Sequence, residues 1–297
     1  MPRFLRDDNT VVDGASPDDR AEWVAAVYAD TSLVTQSAAV PDTDLYWPTS
    51  SATKPSLMAD MLHLLDVRDG HNVLEIGTGT GYNAALLCHR LGDANVASID
   101  IHPDLIAQAR TRLAAAGYCP HLAAGDGATG LPEHAPYDRI IVTCAVAAVQ
   151  PAWIEQLTDD GLVVADVRGE LISSLIALSK NAPDAVEGRF LPAPGHFMWM
   201  RTAADNPLRD GRSLGLTVDR TNATHTTTGL DPAVLDQPDL RFLLQHLSPR
   251  VEQIWRTERD VLLLHSYDGA WAELDTLANG GVRHVLQGGP RPIWDLV

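Results

Sequence analysis

The sequence has few cysteines, few basic residues and no long apolar run. Its three cysteines, Cys88, Cys119 and Cys144, are odd in number and widely spaced, which excludes a disulfide framework and a zinc site, so we expect them to be small core residues. No apolar segment approaches the ~20 residues of a membrane-spanning helix, and the first residues lack the apolar core of a signal peptide. These absences predict a cytoplasmic protein that has no metal and no membrane partner.

The charge balance excludes another class of partner. The 297 residues contain 22 Lys and Arg against 39 Asp and Glu, which gives a net charge of -17. A field of that sign repels phosphate backbones, so nucleic acid is not expected as a partner. With 45% hydrophobic residues, the chain is long enough for one large domain or two modest ones.

Apolar patterning divides the chain into three parts. From Asn72 onward, short apolar runs alternate with helical periods, beginning with "NVLEIG", "YNAALLCHRLG" and "NVASIDI". This alternation predicts βαβ units on a parallel sheet, and residues 17–66 before it are predicted to be helical. We therefore expect an α/β fold with a Rossmann-like sheet at residues 67–205, an N-terminal helical cap at residues 1–66 and a smaller C-terminal α+β module at residues 206–297.

Two local patterns refine these parts. A helix is predicted over residues 54–66, with five apolar side chains on one side: Leu57, Met58, Met61, Leu62 and Leu65. In the C-terminal module, "VLLLHSYDGAWAELD" predicts a hairpin that turns at Tyr267, Asp268 and Gly269. The last residues, "RPIWDLV", begin a predicted helical turn, as expected of a truncated C-terminus.

A glycine-rich loop follows the first predicted strand of the sheet. In "VLEIGTGTGY", Gly77, Gly79 and Gly81 occupy every second position immediately before a predicted helix. Glycine permits a tight turn and lets a ligand touch the backbone, and the helix N-terminus favours an anionic group. The spacing is G-x-G-x-G rather than the dinucleotide G-x-G-x-x-G, and Glu75 precedes the first glycine.

Acidic residues end the next two predicted strands. Asp100 is placed to accept hydrogen bonds from ribose hydroxyls, and Asp126 in "AAGDGATG" can meet an adenine amino group. The alternative interpretation of either acid is that it only turns the chain and caps the next helix. Together with the glycine loop, the two acids favour a ligand that contains a nucleoside.

This assembly resembles the class I S-adenosylmethionine-dependent methyltransferases. The resemblance implies that S-adenosylmethionine is the cofactor, with its methionine end on the glycine loop, its ribose at the acid after the second strand and its adenine at the acid after the third. The implied cofactor-binding residues are Glu75, Gly77, Thr78, Gly79, Gly81, Asp100, Ile101, Asp126 and Gly127.

The region after the fourth strand narrows the choice of methyl acceptor. "DRIIVTCAVAAVQP" lacks the Asn/Asp-Pro-Pro-aromatic motif of methyltransferases that act on nucleobase or amide nitrogens. From about residue 48 to residue 167, and loosely as far as "GRFLPAPGHFMWM", the sequence is instead similar to the protein-L-isoaspartate carboxyl methyltransferase family. That resemblance implies an O-methyltransferase that acts on (iso)aspartate in a protein or peptide.

The hydroxyl-rich segment "PTSSATKPSLM" then has a use. A carboxylate, with a pKa near ~4, is already ionised and needs no general base, so the enzyme has only to hold it in line with the methyl group. In the isoaspartyl enzymes a serine two residues before the proline donates the hydrogen bond that does this. The matching residue is Thr53, and Ser50 and Ser51 are close by, so these three are the predicted catalytic residues. The alternative interpretation is that their hydroxyls cap the following helix.

Four other polar residues are expected to have no catalytic role. Lys54 is predicted to be a solvated charge. His134, His196 and Cys144 have no partner at a recognisable spacing, so we expect them to be loop or packing residues.

A second resemblance concerns the substrate. The threonine at position 53 narrows the pocket, which argues against isoaspartate repair, and "YADTSLVTQ" and "VRHVLQGGPRPIWDLV" resemble the actinobacterial homologues found with ATP-grasp (graspetide) or lanthipeptide maturation systems. That resemblance implies a ribosomal precursor peptide as substrate, methylated on an aspartate side chain whose ester collapses to an aspartimide. The alternatives are repair of isoaspartate in damaged proteins and a non-catalytic cofactor-binding module that acts as a peptide scaffold.

Overall fold

The computed structural model describes residues 2–40, 44–202, 220–248, 250–256, 261–266, 268–275 and 281–297. The chain divides into two compact units. The first contains Met1–Val167 and Leu175–Asp210, and the second contains Arg168–Ser174 and Gly211–Val297. The domain boundary predicted at residue 205 lies outside the described residues.

The N-terminal part of the first unit is a small antiparallel sheet with two helices. Its strands are β1 (Arg3–Leu5), β2 (Val11–Asp13), β3 (Leu33–Ala39) and β4 (Tyr46–Ala52), in the order β2-β1-β3-β4, and its helices are α1 (Arg20–Val27) and α2 (Pro55–Leu65). The predicted N-terminal helical cap is therefore wrong between the two helices, where β3 and β4 pair with each other. Val and Thr in β3 and Tyr, Trp and Thr in β4 favour a pleated, half-buried surface over a helix.

The helix predicted over residues 54–66 is confirmed as α2. It begins at Pro55 and buries Met58, Met61 and Leu65, while the other two predicted apolar residues are partly buried against the same cluster. Proline suits the first helical turn, where its missing N–H has no intrahelical partner to lose. The apolar stripe therefore anchors α2 to the core of the first unit.

A seven-stranded sheet forms the centre of the first unit. Its strands are β5 (Val73–Ile76), β6 (Val96–Asp100), β7 (His121–Ala124), β8 (Tyr137–Val146), β9 (Leu157–Arg168), β10 (Ser173–Ala182) and β11 (Ala185–Phe190), in the order β11-β10-β9-β8-β5-β6-β7. Strands β5 to β9 pair in parallel, and β10 pairs with β11 antiparallel. With the helices α3 (Tyr82–Leu91), α4 (Pro103–Ala115) and α5 (Pro151–Gln156), this confirms the predicted α/β fold with a Rossmann-like sheet.

The core of this unit has two layers, one on each side of the sheet. Leu74 and Ile76 of β5 pack in one apolar cluster with Trp153, whereas Val73 packs in the other with Met61. Alternate residues of a strand point to opposite faces, so a strand covered on both sides is mostly apolar, and Glu75 is the exception in β5. Because parallel strands end at one edge of the sheet, the loops after β5, β6 and β7 meet there.

The second unit contains a five-stranded antiparallel sheet. Its elements are β12 (Thr224–Thr228), α6 (Pro238–Leu247), β13 (Val251–Arg256), β14 (Val261–Ser266), β15 (Trp271–Asp275) and β16 (Arg283–Gly288), with the strand order β12-β16-β15-β14-β13. The antiparallel pairing of β14 with β15 confirms the predicted hairpin strands. Tyr267, in the predicted turn, lies outside the described residues.

The cysteines differ from one another in environment. Cys88 is buried and Cys144 is half-buried, but Cys119 is exposed, so the prediction of three core cysteines is wrong for Cys119. That residue follows the turn after α4, where its N–H donates to Asp93 Oδ2 at 2.7 Å.

Among the helices that the structure describes, none has the length and apolar character needed to cross a bilayer.

Candidate functional site

The glycine loop lies between β5 and α3, as predicted, and packs closely on β8. Gly77 has φ +99°, and a Cβ atom added there would lie 2.6 Å from Thr143 Oγ1. The Thr143 hydroxyl donates to the Gly77 carbonyl oxygen at 2.8 Å and also lies 3.1 Å from the Ile76 carbonyl oxygen, a second acceptor. Both the backbone angle and the space at Gly77 therefore require glycine.

Asp100 connects the glycine loop with the end of β6. Its Oδ2 accepts the Gly79 N–H at 2.9 Å and its Oδ1 accepts the His102 N–H at 3.1 Å. Each carboxylate oxygen has more than one acceptor site, so ribose hydroxyls can still donate to it. Ile101, which follows Asp100 in the sequence, is half-buried.

Asp126 and Gly127 lie in the loop after β7. Asp126 Oδ1 accepts the Ala128 N–H at 2.9 Å, so this acid does cap a turn, as the alternative interpretation holds. Its Oδ2 accepts no hydrogen bond from the part of the chain that the structure describes. The Gly127 carbonyl accepts Trp153 Nε1 at 2.8 Å, and a Cβ atom at Gly127 would lie 2.6 Å from Ile76. The loop is thus fixed against the end of β5.

Glu75 and Thr78 point into the core beneath the loop. Glu75 accepts hydrogen bonds from Ser98 Oγ at 2.6 Å and Asn83 Nδ2 at 2.8 Å, and the Thr78 hydroxyl lies 2.6 Å from Ser98 Oγ. Burial raises the pKa of the Glu75 carboxyl to about 7, although both hydrogen bonds lower it. Glu75 is 1% exposed, so any effect of this network on a ligand is indirect. The sequence did not predict Ser98 or Asn83, because a serine within a strand and an asparagine within a helix carry no motif.

Strand β4 brings the hydroxyl segment to the glycine loop. A Cβ atom added at Gly79 would lie 3.7 Å from the Ser51 carbonyl oxygen and 3.8 Å from Ser50 Oγ. The Ser50 side chain is 5% exposed, and its oxygen accepts a hydrogen bond from Thr35 Oγ1 at 3.1 Å, which leaves the Ser50 proton available for another acceptor. The predicted cofactor loop and two of the predicted catalytic residues are therefore neighbours.

The backbone N–H groups at the start of α2 donate to Asp30 and Ser32 rather than to the hydroxyls of residues 50–53. The Ser56 N–H donates to Asp30 Oδ1 at 2.8 Å, and the Lys54 N–H donates to Ser32 Oγ at 3.1 Å. Lys54 is itself the N-cap and gives no side-chain cap. In the described parts of the chain, the hydroxyls of Ser51 and Thr53 form no hydrogen bond, so they do not cap α2.

The four residues expected to have no catalytic role are explained by their surroundings. Lys54 Nζ pairs with Asp30 Oδ2 at 3.4 Å on the surface, and the His134 ring stacks on His121 with centroids 4.0 Å apart. His196 is exposed in a loop, with φ +50°. Burial raises the pKa of the Cys144 thiol to about 12, and the negative charges of nearby aspartates act in the same direction, so this thiol is a poor nucleophile.

Comparison with known proteins identifies similar chains. Residues 4–192 match the family model of protein-L-isoaspartate(D-aspartate) O-methyltransferase. A protein-L-isoaspartate O-methyltransferase from Methanococcoides burtonii is 41% identical over 152 residues, which is 50% of this chain and 73% of the relative. One from Methylorubrum populi is 36% identical over 169 residues, which is 57% of this chain and 74% of the relative. A solved protein-L-isoaspartate O-methyltransferase has a TM-score of 0.52 at 23% identity, over 91% of this chain and 77% of that one, and so has the same fold.

Proposed function

Because the chain belongs to the protein-L-isoaspartate(D-aspartate) O-methyltransferase family, we propose that it esterifies the carboxylate of L-isoaspartyl residues in damaged proteins. Its family makes it an S-adenosylmethionine-dependent methyltransferase of protein (iso)aspartate. The observation that carries this proposal is the position of β4, whose Ser50 and Ser51 lie against Gly79 of the glycine loop. An acceptor carboxylate bound at the Ser50 hydroxyl lies next to the cofactor loop, as methyl transfer requires.

The residues at the carboxyl edge of the sheet fit the cofactor. Gly79 has no side chain between the loop and β4, and Asp100 presents a carboxylate that keeps acceptor sites beside the same loop. When bound, S-adenosylmethionine supplies a methyl group on a positively charged sulfonium. We assign its methionine end to Gly77, Gly79 and Gly81, its ribose to Asp100 and its adenine to Asp126.

The acceptor side needs a hydrogen-bond donor and no base. A carboxylate is ionised at neutral pH, so a hydroxyl that donates to one of its oxygens leaves the other oxygen as the nucleophile. Ser50 is prepared for this because Thr35 already donates to its oxygen, and its own proton can then go to the substrate. Thr53 keeps the role assigned from the sequence, because its hydroxyl bonds to none of the residues that the structure describes.

A second candidate is methylation of an aspartate side chain in a ribosomal precursor peptide. The observation that favours it is the second unit, since the family model ends at residue 192 and the five-stranded sheet lies beyond it. That unit offers a surface for the rest of a dedicated peptide substrate, but the fold of the solved protein-L-isoaspartate O-methyltransferase extends over 91% of this chain and so includes most of the same unit. The relatives named above support repair more directly, because both are isoaspartate methyltransferases.

The test compares three peptides that differ at one residue. The enzyme is incubated with methyl-labelled cofactor and a peptide that contains L-isoaspartate, L-aspartate or asparagine at the same position. We expect base-labile label only on the isoaspartyl peptide. Label on the L-aspartyl peptide would favour the precursor-peptide candidate. No label on any peptide or protein acceptor, with cofactor binding confirmed by calorimetry, would favour a non-catalytic scaffold and overturn the proposal.

A further inference from the structure

The segment after β11 returns to the edge of the sheet where the cofactor loops meet. We call residues 195–201 the strap. The family model matches residues 4–192, so the strap lies just outside the matched residues. Three sets of hydrogen bonds within the first unit fix its path from β9 to β8 and then to β4.

The first set anchors the strap to a buried carboxylate at the end of β9. Asp166 is completely buried, and its Oδ1 and Oδ2 accept the N–H groups of Gly195 and Phe197, each at 3.2 Å. A Cβ atom at Gly195 would lie 2.6 Å from Asp166 Cγ, so the backbone approaches the carboxylate more closely than other residues allow. The start of the strap is therefore rigidly held.

The second set adds the strap to β8 beyond the point where β5 ends. The Ala145 N–H donates to the Met198 carbonyl, and the Met200 N–H donates to the Ala145 carbonyl, both at 2.8 Å. Strand β5 pairs with β8 only as far as Val142, so the strap continues the sheet at its carboxyl edge. Met200 Sδ lies 3.7 Å from the position of a Cβ atom at Gly127, beside the loop assigned to adenine.

The third contact joins the strap to the strand that carries the hydroxyls. Arg201 Nη2 donates to the Thr49 carbonyl oxygen at 3.0 Å. Strand β4 lies at the edge of its sheet, and its pairing with β3 shifts register twice between Val34 and Ser37, opposite residues 48–51. Because irregular pairing with β3 holds this edge strand only weakly, the hydrogen bond from the Arg201 guanidinium to the β4 backbone adds a constraint that the pairing does not supply.

We propose that Arg201 is a positioning residue of the acceptor site, which holds β4 so that the Ser50 hydroxyl stays beside the glycine loop. This inference rests on the proposed function, because it takes the Ser50 hydroxyl as part of the acceptor site. In this proposal Arg201 acts through its hydrogen bond to Thr49. The strap thereby connects the adenine loop to the acceptor strand through one continuous backbone segment.

The experiment compares variants of the full chain. Arg201→Met removes the donor and keeps the length of the side chain, and Arg201→Lys restores one donor. The matched control is Arg139→Met, because the Arg139 guanidinium also donates to a backbone carbonyl, that of Leu65 at 2.7 Å, in the first unit. For each variant we would measure the kcat and KM for the isoaspartyl peptide, the cofactor Kd and the melting temperature.

We expect Arg201→Met to lower kcat roughly 10-fold with the cofactor Kd unchanged, because misplacement of a reacting group by a fraction of an ångström has this kind of effect. Arg201→Lys should recover part of the loss, whereas Arg139→Met should lower the melting temperature without lowering kcat. Combined with Ser50→Ala, the Arg201→Met change should cost less than the product of the two single effects, since both act on one hydroxyl. A kcat equal to the wild type in Arg201→Met, or fully multiplicative effects, would overturn the proposal.

Hydrogen exchange separates this inference from the proposed function. Arg201→Met should speed exchange of the backbone amides in residues 46–52 and leave those in β6 unchanged, whatever substrate the enzyme uses. If the wild type methylates no isoaspartyl peptide but β4 loosens in the variant, the proposed function fails and the positioning role of Arg201 stands. If β4 exchanges at the wild-type rate in Arg201→Met, the positioning role fails even in an active enzyme.

Discussion

Three hydroxyl groups are the proposed donors to the acceptor carboxylate, and they differ in their surroundings. Ser50 is buried, accepts a hydrogen bond from Thr35 and lies beside Gly79, whereas Thr53 is half-exposed after the end of β4. The family resemblance assigns the donor role to position 53, and the geometry adds Ser50. Both can donate if each bonds to a different lone pair of the substrate carboxylate.

Substitution of Thr53 tests its role as a donor. Thr53→Val keeps the shape of the side chain and removes the hydroxyl, so turnover should fall about 10 to 150-fold, which corresponds to the loss of one charge-assisted hydrogen bond. Thr53→Ser should keep much of the activity. Single-turnover rates and thermal melts on both variants provide the measurement, and a stable Thr53→Val enzyme with full turnover would leave Ser50 and Ser51 as the donors.

Asp100 is the residue whose loss should affect cofactor binding most directly. Asp100→Ala removes the acceptor for the Gly79 N–H and for the assigned ribose hydroxyls, so the cofactor affinity should fall by roughly 1 to 3 kcal/mol. Calorimetric titration measures this loss. Asp104→Asn, at an exposed position in the first turn of α4, is the control and should bind with nearly the wild-type affinity. Equal affinities for the two variants would contradict the assignment.

Glu75 should make the stability of the protein depend on pH. Burial raises the pKa of its carboxyl from 4.5 to about 7, so between these values the folded state keeps a proton that the unfolded state has lost. The contribution of Glu75 to stability is therefore present below pH 4.5 and is lost as the pH rises towards 7. Relative to Glu75→Gln, the wild type should lose on the order of 3 kcal/mol across this range.

Urea unfolding of both proteins at about pH 5 and about pH 8 measures this difference. The glutamine side chain should be accommodated, because Asn83 Oδ1 is buried without a partner among the described residues and can accept the new amide N–H. Glu155→Gln, exposed in α5, is the control and should show no such trend. A wild-type advantage that stays constant with pH would show that Glu75 is ionised throughout.

Elements built from local patterns could be predicted from the sequence, and those built from distant contacts could not. The strands β5 and β6 and the helices α2 and α4 follow from apolar periods and from Gly and Pro at their ends. In contrast, β3 and β4 exist because they pair with each other, and short segments rich in hydroxyls have no period that reveals this. The hydrogen bond from Arg201 to Thr49 spans 152 positions, so no motif could have indicated it.

The conformation of the glycine loop requires both a positive φ at Gly77 and free space where a side chain would lie. Gly77→Ala places a methyl group 2.6 Å from Thr143 Oγ1 at φ +99°, so the loop must move and cofactor binding should be lost. Gly70→Ala is a matched control, because its φ of +85° gives a similar backbone strain but nothing lies within 4 Å of the new methyl group. We expect each variant to lose about 1 to 2 kcal/mol of stability from backbone strain, and only Gly77→Ala to lose cofactor affinity. Equal cofactor affinities would show that the loop tolerates the methyl group.

The net charge of the whole molecule should influence which substrates it binds. A net charge of -17 attracts basic peptides and repels acidic ones over distances comparable to the Debye length. We expect a lower KM for an isoaspartyl peptide flanked by lysines than for the same peptide flanked by glutamates. The ratio of the two KM values should approach one when the ionic strength rises from about 0.05 M to about 0.5 M. A ratio that is independent of salt would indicate recognition by local contacts instead.

The second unit is assembled from two separate stretches of the chain. Arg168–Ser174, at the turn between β9 and β10, belongs to it, and the Ile172 N–H donates to Gln245 Oε1 at 3.1 Å, 73 positions away. An exchange of this unit between related enzymes therefore has to replace two separate segments of the gene. A chimaera that carried only the residues from 211 onward would give the Gln245 side chain, which is 8% exposed, a foreign turn as its partner. In recombination between relatives, the turn and the C-terminal sheet should accordingly be inherited together.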